Sequence, residues 1–111
     1  MYRRNKYLNK KVKTSEGTFD SKKEYKRWTE LKAMQERGEI HGLVRQQKYE
    51  LLPSQRRNGK CAERACTYIA DFVYWQGDEL IVEDTKGVKT DAYIIKRKLM
   101  LYLYGIQIRE L

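Results

Sequence analysis

The chain has 111 residues, of which 41% are hydrophobic and 35% are charged. This length and composition fit one globular domain, residues 1–111, and exclude a disordered chain. Lysines and arginines number 24 against 15 acids, a net charge of +9. This charge favours a polyanionic partner, first of all nucleic acid, over an incidentally basic protein or one that binds an anionic membrane surface.

The first third of the chain is predicted to form a basic arm followed by a helix. Residues 1–19 carry many lysines and arginines, and Glu16-Gly17 lies between two β-prone runs, which favours a small hairpin. The first helix is expected from about Lys22 to Arg37, because Ser21 is a suitable N-cap and Gly38 a suitable stop.

Three strands in an antiparallel meander are predicted next. The first runs from about Val44 to Leu52, and a polar turn with the hairpin signal Asn58-Gly59 follows it. The segments "CTYIADFVYWQ" and "ELIVEDTKG" are rich in β-branched and aromatic residues, and Gly77-Asp78 joins them as a turn.

The last part of the chain is predicted to add a second helix and a short strand. Thr90 or Asp91 caps the helix, Gly105 ends it, and "IQIREL" forms the strand. The apolar face of this helix is expected to consist of Ile94, Leu99, Leu101 and Tyr102. Helices and strands in this order predict an α/β domain with a mixed central sheet flanked by helices.

Two aspartates and a lysine lie on the strands of the meander. Side chains alternate along a strand, so Asp84 and Lys86 share a face while Glu83 points away, and Asp71 is expected beside Ile69 and Val73. Two carboxylates on one face repel unless a proton or cation lies between them, and Mg²⁺ prefers such oxygen ligands. This is the chemistry of phosphodiester hydrolysis, although a strand-end salt bridge is the plainer alternative.

The spacing of Asp71 from Asp84-Thr85-Lys86 resembles the P-D…(D/E)-x-K signature of the restriction-endonuclease-like nuclease superfamily. Ala70 replaces the proline of that signature, and neither this change nor the choice of aspartate at position 84 removes a ligand oxygen. Segments along nearly the whole chain are similar to a family of small, phage-associated proteins placed in that superfamily: "GTFDSKKE", "GLVRQQKYEL", "YIADFVY", "VEDTKG", "YIIKRKL" and "YGIQIRE".

The resemblance implies a fold, a cofactor and roles for residues. The fold would be the αβββαβ core, and Asp71, Asp84 and the Thr85 carbonyl would bind Mg²⁺ or Mn²⁺. Lys86 would position water or phosphate, and Glu24 on the first helix is the fourth catalytic candidate. Small, basic, dimeric junction resolvases occur in this superfamily, so a homodimer that cuts branched DNA is the implied assembly.

Several site residues have two interpretations. Glu24 either completes a capping box with Ser21 or serves the metal site, and the two roles were expected to exclude each other. Gln46 is either a polar strand residue or faces the site. The candidate nucleic-acid contacts are Gln46, Lys89, Lys96 and Lys98, and the three lysines could instead be solvated charges.

Three functions follow, in order of preference. The first is a Mg²⁺-dependent DNA endonuclease that acts in phage recombination or DNA processing. No small-molecule cofactor is expected for it. The second is a nucleic-acid-binding module that retains the fold without activity, and the third is an interaction protein whose charge is incidental. The sequence shows no signal peptide or membrane span, and Cys61 and Cys66 lack zinc-site spacing, so a cytoplasmic location away from membranes is expected.

Overall fold

The computed structural model describes residues 11–111, so the first ten residues of the predicted basic arm lie outside the described part. The elements are β1 (Val12–Thr14), β2 (Gly17–Phe19), α1 (Lys22–Glu36), β3 (His41–Leu52), β4 (Gln55–Arg57), β5 (Lys60–Glu63), β6 (Cys66–Gln76), β7 (Glu79–Asp84), α2 (Asp91–Tyr104) and β8 (Arg109–Glu110). The protein is therefore a mixed α/β fold with two helices.

The main sheet has four strands in the order β3-β6-β7-β8. The first three strands pair antiparallel, which confirms the predicted meander, and β8 pairs parallel with β7. Two small hairpins, β1–β2 and β4–β5, stand apart from this sheet. The turn of the second hairpin was predicted from Asn58-Gly59, but its strands were not, because three and four exposed residues give no alternation to read.

Each helix covers one face of the sheet. Leu31 of α1 packs with Phe72, Tyr74 and Ile81, and Trp28 stacks on the Phe72 ring at 6.1 Å between centroids. On the other face, α2 contributes its buried residues to a larger cluster made of Leu51, Tyr68, Ala70, Val73, Val82, Tyr93, Met100 and Ile108. The alternation of Phe72, Val73 and Tyr74 between the two clusters shows that the sheet is the middle layer.

The helix caps follow the sequence signals. Ser21 Oγ accepts the Glu24 N–H at 3.1 Å, and Thr90 Oγ1 accepts the Tyr93 N–H at 3.1 Å. Gly105 ends α2 in the left-handed conformation, with φ +66°. No helix within residues 11–111 is long and apolar enough to cross a membrane.

The sequence predictions for α2 and the last strand are correct only in part. Ile94 and Leu99 pack against the larger cluster as predicted. Leu101 and Tyr102 are exposed, and the fully buried residues of α2 are Tyr93 and Met100, because the helix is rotated relative to the expected face. The last strand is shorter than the predicted segment "IQIREL": it covers only Arg109–Glu110, which pair with Glu83 and Asp84 at the end of β7. The first long strand begins at His41, earlier than predicted.

Candidate active site

A cavity of about 200 Å³ opens where the start of α1, the middle of β6 and the end of β7 meet. Its lining contains three acids and two lysines: Asp20, Ser21, Lys23, Glu24, Asp71, Thr85, Lys86 and Gly87. The cavity therefore brings together three of the four predicted catalytic residues: Glu24, Asp71 and Lys86. The predicted metal ligand Thr85 lines it as well. This arrangement is the basis of the candidate site.

Asp71 is held by the residue that follows Asp84. Its Oδ2 accepts hydrogen bonds from both the N–H and the Oγ1 of Thr85, each at 2.8 Å. Within residues 11–111 no hydrogen bond reaches its Oδ1, which leaves that oxygen available. Burial raises the pKa of Asp71, and the nearby charge of Asp84 raises it further against the lowering effect of the Thr85 bonds. The site thus positions a carboxylate whose negative charge is disfavoured without a cation.

Asp71 lies at an irregularity in the sheet, which corrects the predicted face. Tyr68 and Ala70 pack in the same cluster as Val73, whereas strict alternation would place them on the opposite face from it. The pairs Arg45↔Phe72 and Gln47↔Ala70 flank the position where Gln46 faces Asp71. Gln46 there has a φ of +55°, an uncommon value for a residue other than glycine, and such strain concentrates at functional sites.

Glu24 caps the helix start and also lines the cavity, so the capping contact leaves its predicted metal role open. Its Oε2 accepts the Asp20 N–H at 2.9 Å, so it caps the helix one residue earlier than a standard capping box. Its Oε1 accepts the Gln46 amide at 3.0 Å and lies 3.9 Å from the Arg45 guanidinium. One carboxylate can make both contacts because one oxygen accepts from the helix start and the other accepts from Gln46 on β3. This contact also brings the predicted Gln46 to the site.

Glu24 and Asp71 are electrostatically coupled. Glu24 is 1% exposed, and burial raises its pKa, with a further contribution from the negative charge of Asp71. Two carboxylates that each resist ionisation are stabilised when a proton or a cation neutralises them. The pair therefore has the charge character of a cation site.

Asp84 confirms the predicted strand parity but does not line the cavity. It is 1% exposed, its Oδ2 accepts the Tyr68 hydroxyl at 2.6 Å, and its Oδ1 accepts the Lys86 N–H at 2.8 Å. Both oxygens are thus already engaged, with further lone pairs remaining. Through its hydrogen bond to the Lys86 N–H, Asp84 holds the backbone of the segment that brings Lys86 to the cavity lined by Asp71.

Glu83 lies on the opposite face, as the parity predicts. Arg27 binds it in a bidentate pair at 2.7 and 2.8 Å, and the Tyr74 hydroxyl donates a short hydrogen bond to it. Burial raises the pKa of Tyr74 to about 12, and the bond to Glu83 acts in the same direction. Glu83 therefore stabilises the packing of α1 on the sheet. Strand parity alone places it away from the cavity and does not reveal this structural role.

The candidate lysines divide between different surfaces. Lys86 lines the site and also a neighbouring cavity that contains Lys96, and its Nζ lies 5.8 Å from the Tyr93 ring. Lys89 pairs with Glu110 at 3.3 Å, and Lys98 lines a separate cavity beside Gln107. The structure brings Lys96 towards the site, and it does not bring Lys89 or Lys98 there.

The oxygen donors at the cavity match part of what Mg²⁺ requires. This ion commonly takes one or two protein carboxylates and completes its shell with water and phosphate oxygens. The available Oδ1 of Asp71 and the lone pairs that remain on the hydrogen-bonded Glu24 carboxylate fit that number. Within the described residues, no group of three or more histidine, cysteine, aspartate or glutamate side chains is arranged to hold a metal ion. The residues therefore fit an ion that substrate helps to bind, and they do not form a complete cage.

Sequence reasoning missed several residues of the site. Tyr68 binds Asp84, Arg45 stacks on the Phe19 ring at 3.7 Å beside Glu24, and Asp20 and Lys23 line the cavity. The position of Asp20 next to the N-cap was a readable signal for its place at the helix start. Tyr68 could not be found from parity, because the irregularity at Asp71 reverses the alternation before it.

Comparison with known proteins gives one family. No curated protein and no solved structure matches the chain. A family profile matches residues 4–109, which is nearly the whole chain. The chain therefore belongs to the family described as "Protein of unknown function (DUF1064)".

Proposed function

We propose that this protein is a metal-dependent DNA endonuclease with the restriction-endonuclease-like core. The observation that carries the proposal is the coupled pair Asp71 and Glu24, held by hydrogen bonds at one cavity with Lys86. Phosphodiester hydrolysis needs neutralised phosphate charge, an activated water and a stabilised transition state, and these residue types supply the corresponding groups. The net charge of +9 supports a polyanionic substrate.

The order of elements supports the proposed fold. With the hairpins β1–β2 and β4–β5 set aside as additions, α1, β3, β6, β7, α2 and β8 follow the order αβββαβ. The acids of the signature lie on β6 and β7, the central neighbours in the sheet. This agreement concerns order and pairing, and it supports the proposal as an analogy.

In the proposed reaction, each residue has a role that its contacts allow. Asp71 and Glu24 would hold Mg²⁺ or Mn²⁺, and the bound ion would supply Lewis-acid stabilisation of the phosphate and an acidified water. Thr85 orients Asp71 through two hydrogen bonds. Asp84 orients the backbone at Lys86, whose ammonium would stabilise negative charge at the scissile phosphate. The Thr85 carbonyl stays a predicted further ligand.

A non-catalytic nucleic-acid-binding module is the second candidate. It is favoured by the engagement of both Asp84 oxygens and by the lack of a three-membered ligand group within residues 11–111. Such a module would keep the basic surface and need no ion. Binding without cleavage would identify it.

A homodimer acting on branched DNA is the proposed assembly. Large apolar side chains are exposed on α2, among them Ile95 at 58%, Leu101 at 52% and Tyr102 at 84%. Exposed apolar residues in such a group are typical of an interaction surface. Two copies related by a two-fold axis would present two cavities to two strands of a symmetric junction.

Cleavage of a substrate panel tests the proposal. Four-way junction, flap, duplex and single-stranded DNA, each incubated with Mg²⁺, Mn²⁺ or EDTA, would be resolved on denaturing gels. We expect metal-dependent cutting, with the junction cut faster than the linear duplex. Binding without cutting under every condition would select the second candidate.

A further inference from the structure

The β4–β5 hairpin, named the basic ribbon here and defined as residues 53–64, projects from the fold. Every residue in it is exposed, from Pro53 to Arg64, and its two strands pair only with each other. Apolar burial cannot explain why this segment is ordered as a hairpin, because the ribbon has no buried side chain. The role of the ribbon must therefore be sought in its exposed side chains.

The charge of the ribbon is positive and lacks compensation. It contains Arg56, Arg57, Lys60 and Arg64 against the single acid Glu63. None of these four cations makes a salt bridge in the part of the chain that the structure describes, although many other cations of the protein do. These exposed cations are therefore available to an external anion.

Two of these charges face each other across the hairpin. Arg57 pairs directly with Lys60, and Arg56 pairs with Cys61 on the next position. Like charges at directly opposed positions destabilise a strand pair. An anion bound over Arg57 and Lys60 would remove that repulsion, which is a physical reason for the ribbon to bind one.

The dimensions of the ribbon fit a groove of duplex DNA. A two-stranded ribbon has strands about 4.8 Å apart, and four residues of a strand span about 13 Å. The major groove of B-form DNA is about 12 Å wide and about 8.5 Å deep, and it admits a two-stranded β-ribbon. The major groove of an RNA duplex is too narrow for side chains to read, so B-form DNA is the better match.

We propose that the basic ribbon enters a groove of duplex DNA and holds the substrate outside the active site through Arg56, Arg57 and Lys60. This inference rests on the proposed function for the identity of the polyanion. It adds a contact surface that lies apart from the Asp71 cavity, since no residue of the ribbon lines that cavity.

A charge-matched pair of variants gives the first test. The ribbon variant Arg56→Gln/Arg57→Gln/Lys60→Gln and the control Lys11→Gln/Lys13→Gln/Lys22→Gln each lose three positive charges at exposed positions. Each phosphate contact contributes about 0.9 to the slope of log K against log salt. We expect the ribbon variant to lose roughly 2 to 3 from that slope and at least ~10-fold in duplex affinity, and the control to lose less than about 1 from the slope.

A footprint on the native ribbon gives the second test and needs no charge removed. Cys61 is exposed on the ribbon, and the remaining thiol, Cys66, is converted by Cys66→Ser. Maleimide labelling of Cys61 is then timed with saturating DNA duplex, RNA duplex or anionic lipid vesicles. We expect DNA duplex to slow labelling at least ~10-fold and the other two to slow it less.

Equal salt slopes for the two triple variants, or a Cys61 labelling rate that saturating DNA leaves unchanged, would overturn the inference. Stronger protection by RNA or by vesicles would overturn it as well. These failures differ from failure of the proposed function, which would appear as wild-type protein that cuts no nucleic acid with any metal ion, whether or not it binds DNA through the ribbon.

Discussion

Glu24→Gln should separate catalysis from folding. The glutamine amide oxygen can still accept the Asp20 N–H, because glutamine also serves in a capping box. Its amide nitrogen would then face the Gln46 amide, which loses the acceptor that it now reaches at 3.0 Å. The substitution also removes a buried negative charge beside Asp71, which offsets that loss.

The magnitude follows from these contacts. A hydrogen bond to a charged group is worth about 1.5–3 kcal/mol, and the relief of carboxylate repulsion acts in the opposite direction, so we expect the free energy of unfolding to change by less than about 1 kcal/mol. Glu24→Ala also removes the acceptor of the Asp20 N–H, and it should cost about 2 kcal/mol. Cleavage should fall at least ~100-fold in both variants, because a group that acts on the transition state is commonly worth about 2.7–4 kcal/mol.

Urea denaturation and single-turnover cleavage of the best substrate from the panel measure the two quantities. Wild-type cleavage by the glutamine variant would make Glu24 a purely structural residue. A loss of more than about 2 kcal/mol in the glutamine variant would instead refute the assignment of one carboxylate oxygen to the helix cap.

Three further results are expected. Lys86→Ala should bind DNA nearly as well as wild type and cut it at least ~100-fold more slowly, as filter binding and gel assays would show; equal rates would leave the lysine without a catalytic role. Glu83→Gln should lower the free energy of unfolding by about 3 kcal/mol in urea titrations, because it disrupts the buried pair with Arg27, and an unchanged midpoint would contradict that pairing. The hydrogen bond from Tyr93 and the nearby cations lower the pKa of Glu110. The stabilisation that Glu110 provides is therefore present above its ordinary pKa of 4.5 and is lost as the pH falls through the lowered pKa. Glu110→Gln should flatten the fall in the free energy of unfolding at acid pH, and an unchanged fall would count against the contact.

Much of the fold could be predicted because local signals agree with the packing. The caps Ser21 and Thr90, the stops Gly38 and Gly105, and the turn at Gly77-Asp78 all correspond to observed boundaries. The parity of Glu83 and Asp84 was also correct, because β7 pairs with β6 without interruption.

The errors arose where tertiary structure overrides local pattern. The face of Asp71 was predicted from strict alternation, and the irregularity opposite Gln46 breaks that alternation. The separation of Lys98 from Lys96 depends on how α2 is rotated against the sheet, which its mixed apolar pattern does not determine. The hydrogen bond from Gln46 to Glu24 joins residues that are distant in sequence, and no local signal identifies it.

The central claim is that Asp71 serves metal-dependent cleavage of DNA. The most direct measurement is the single-turnover cleavage rate against Mg²⁺ concentration for wild type and Asp71→Asn, purified identically and shown to bind the substrate equally. The account predicts a wild-type rate that rises with Mg²⁺ and vanishes in EDTA, and a variant rate at least ~100-fold lower. Equal rates for the two proteins, or cleavage by wild type that persists in EDTA, would contradict it.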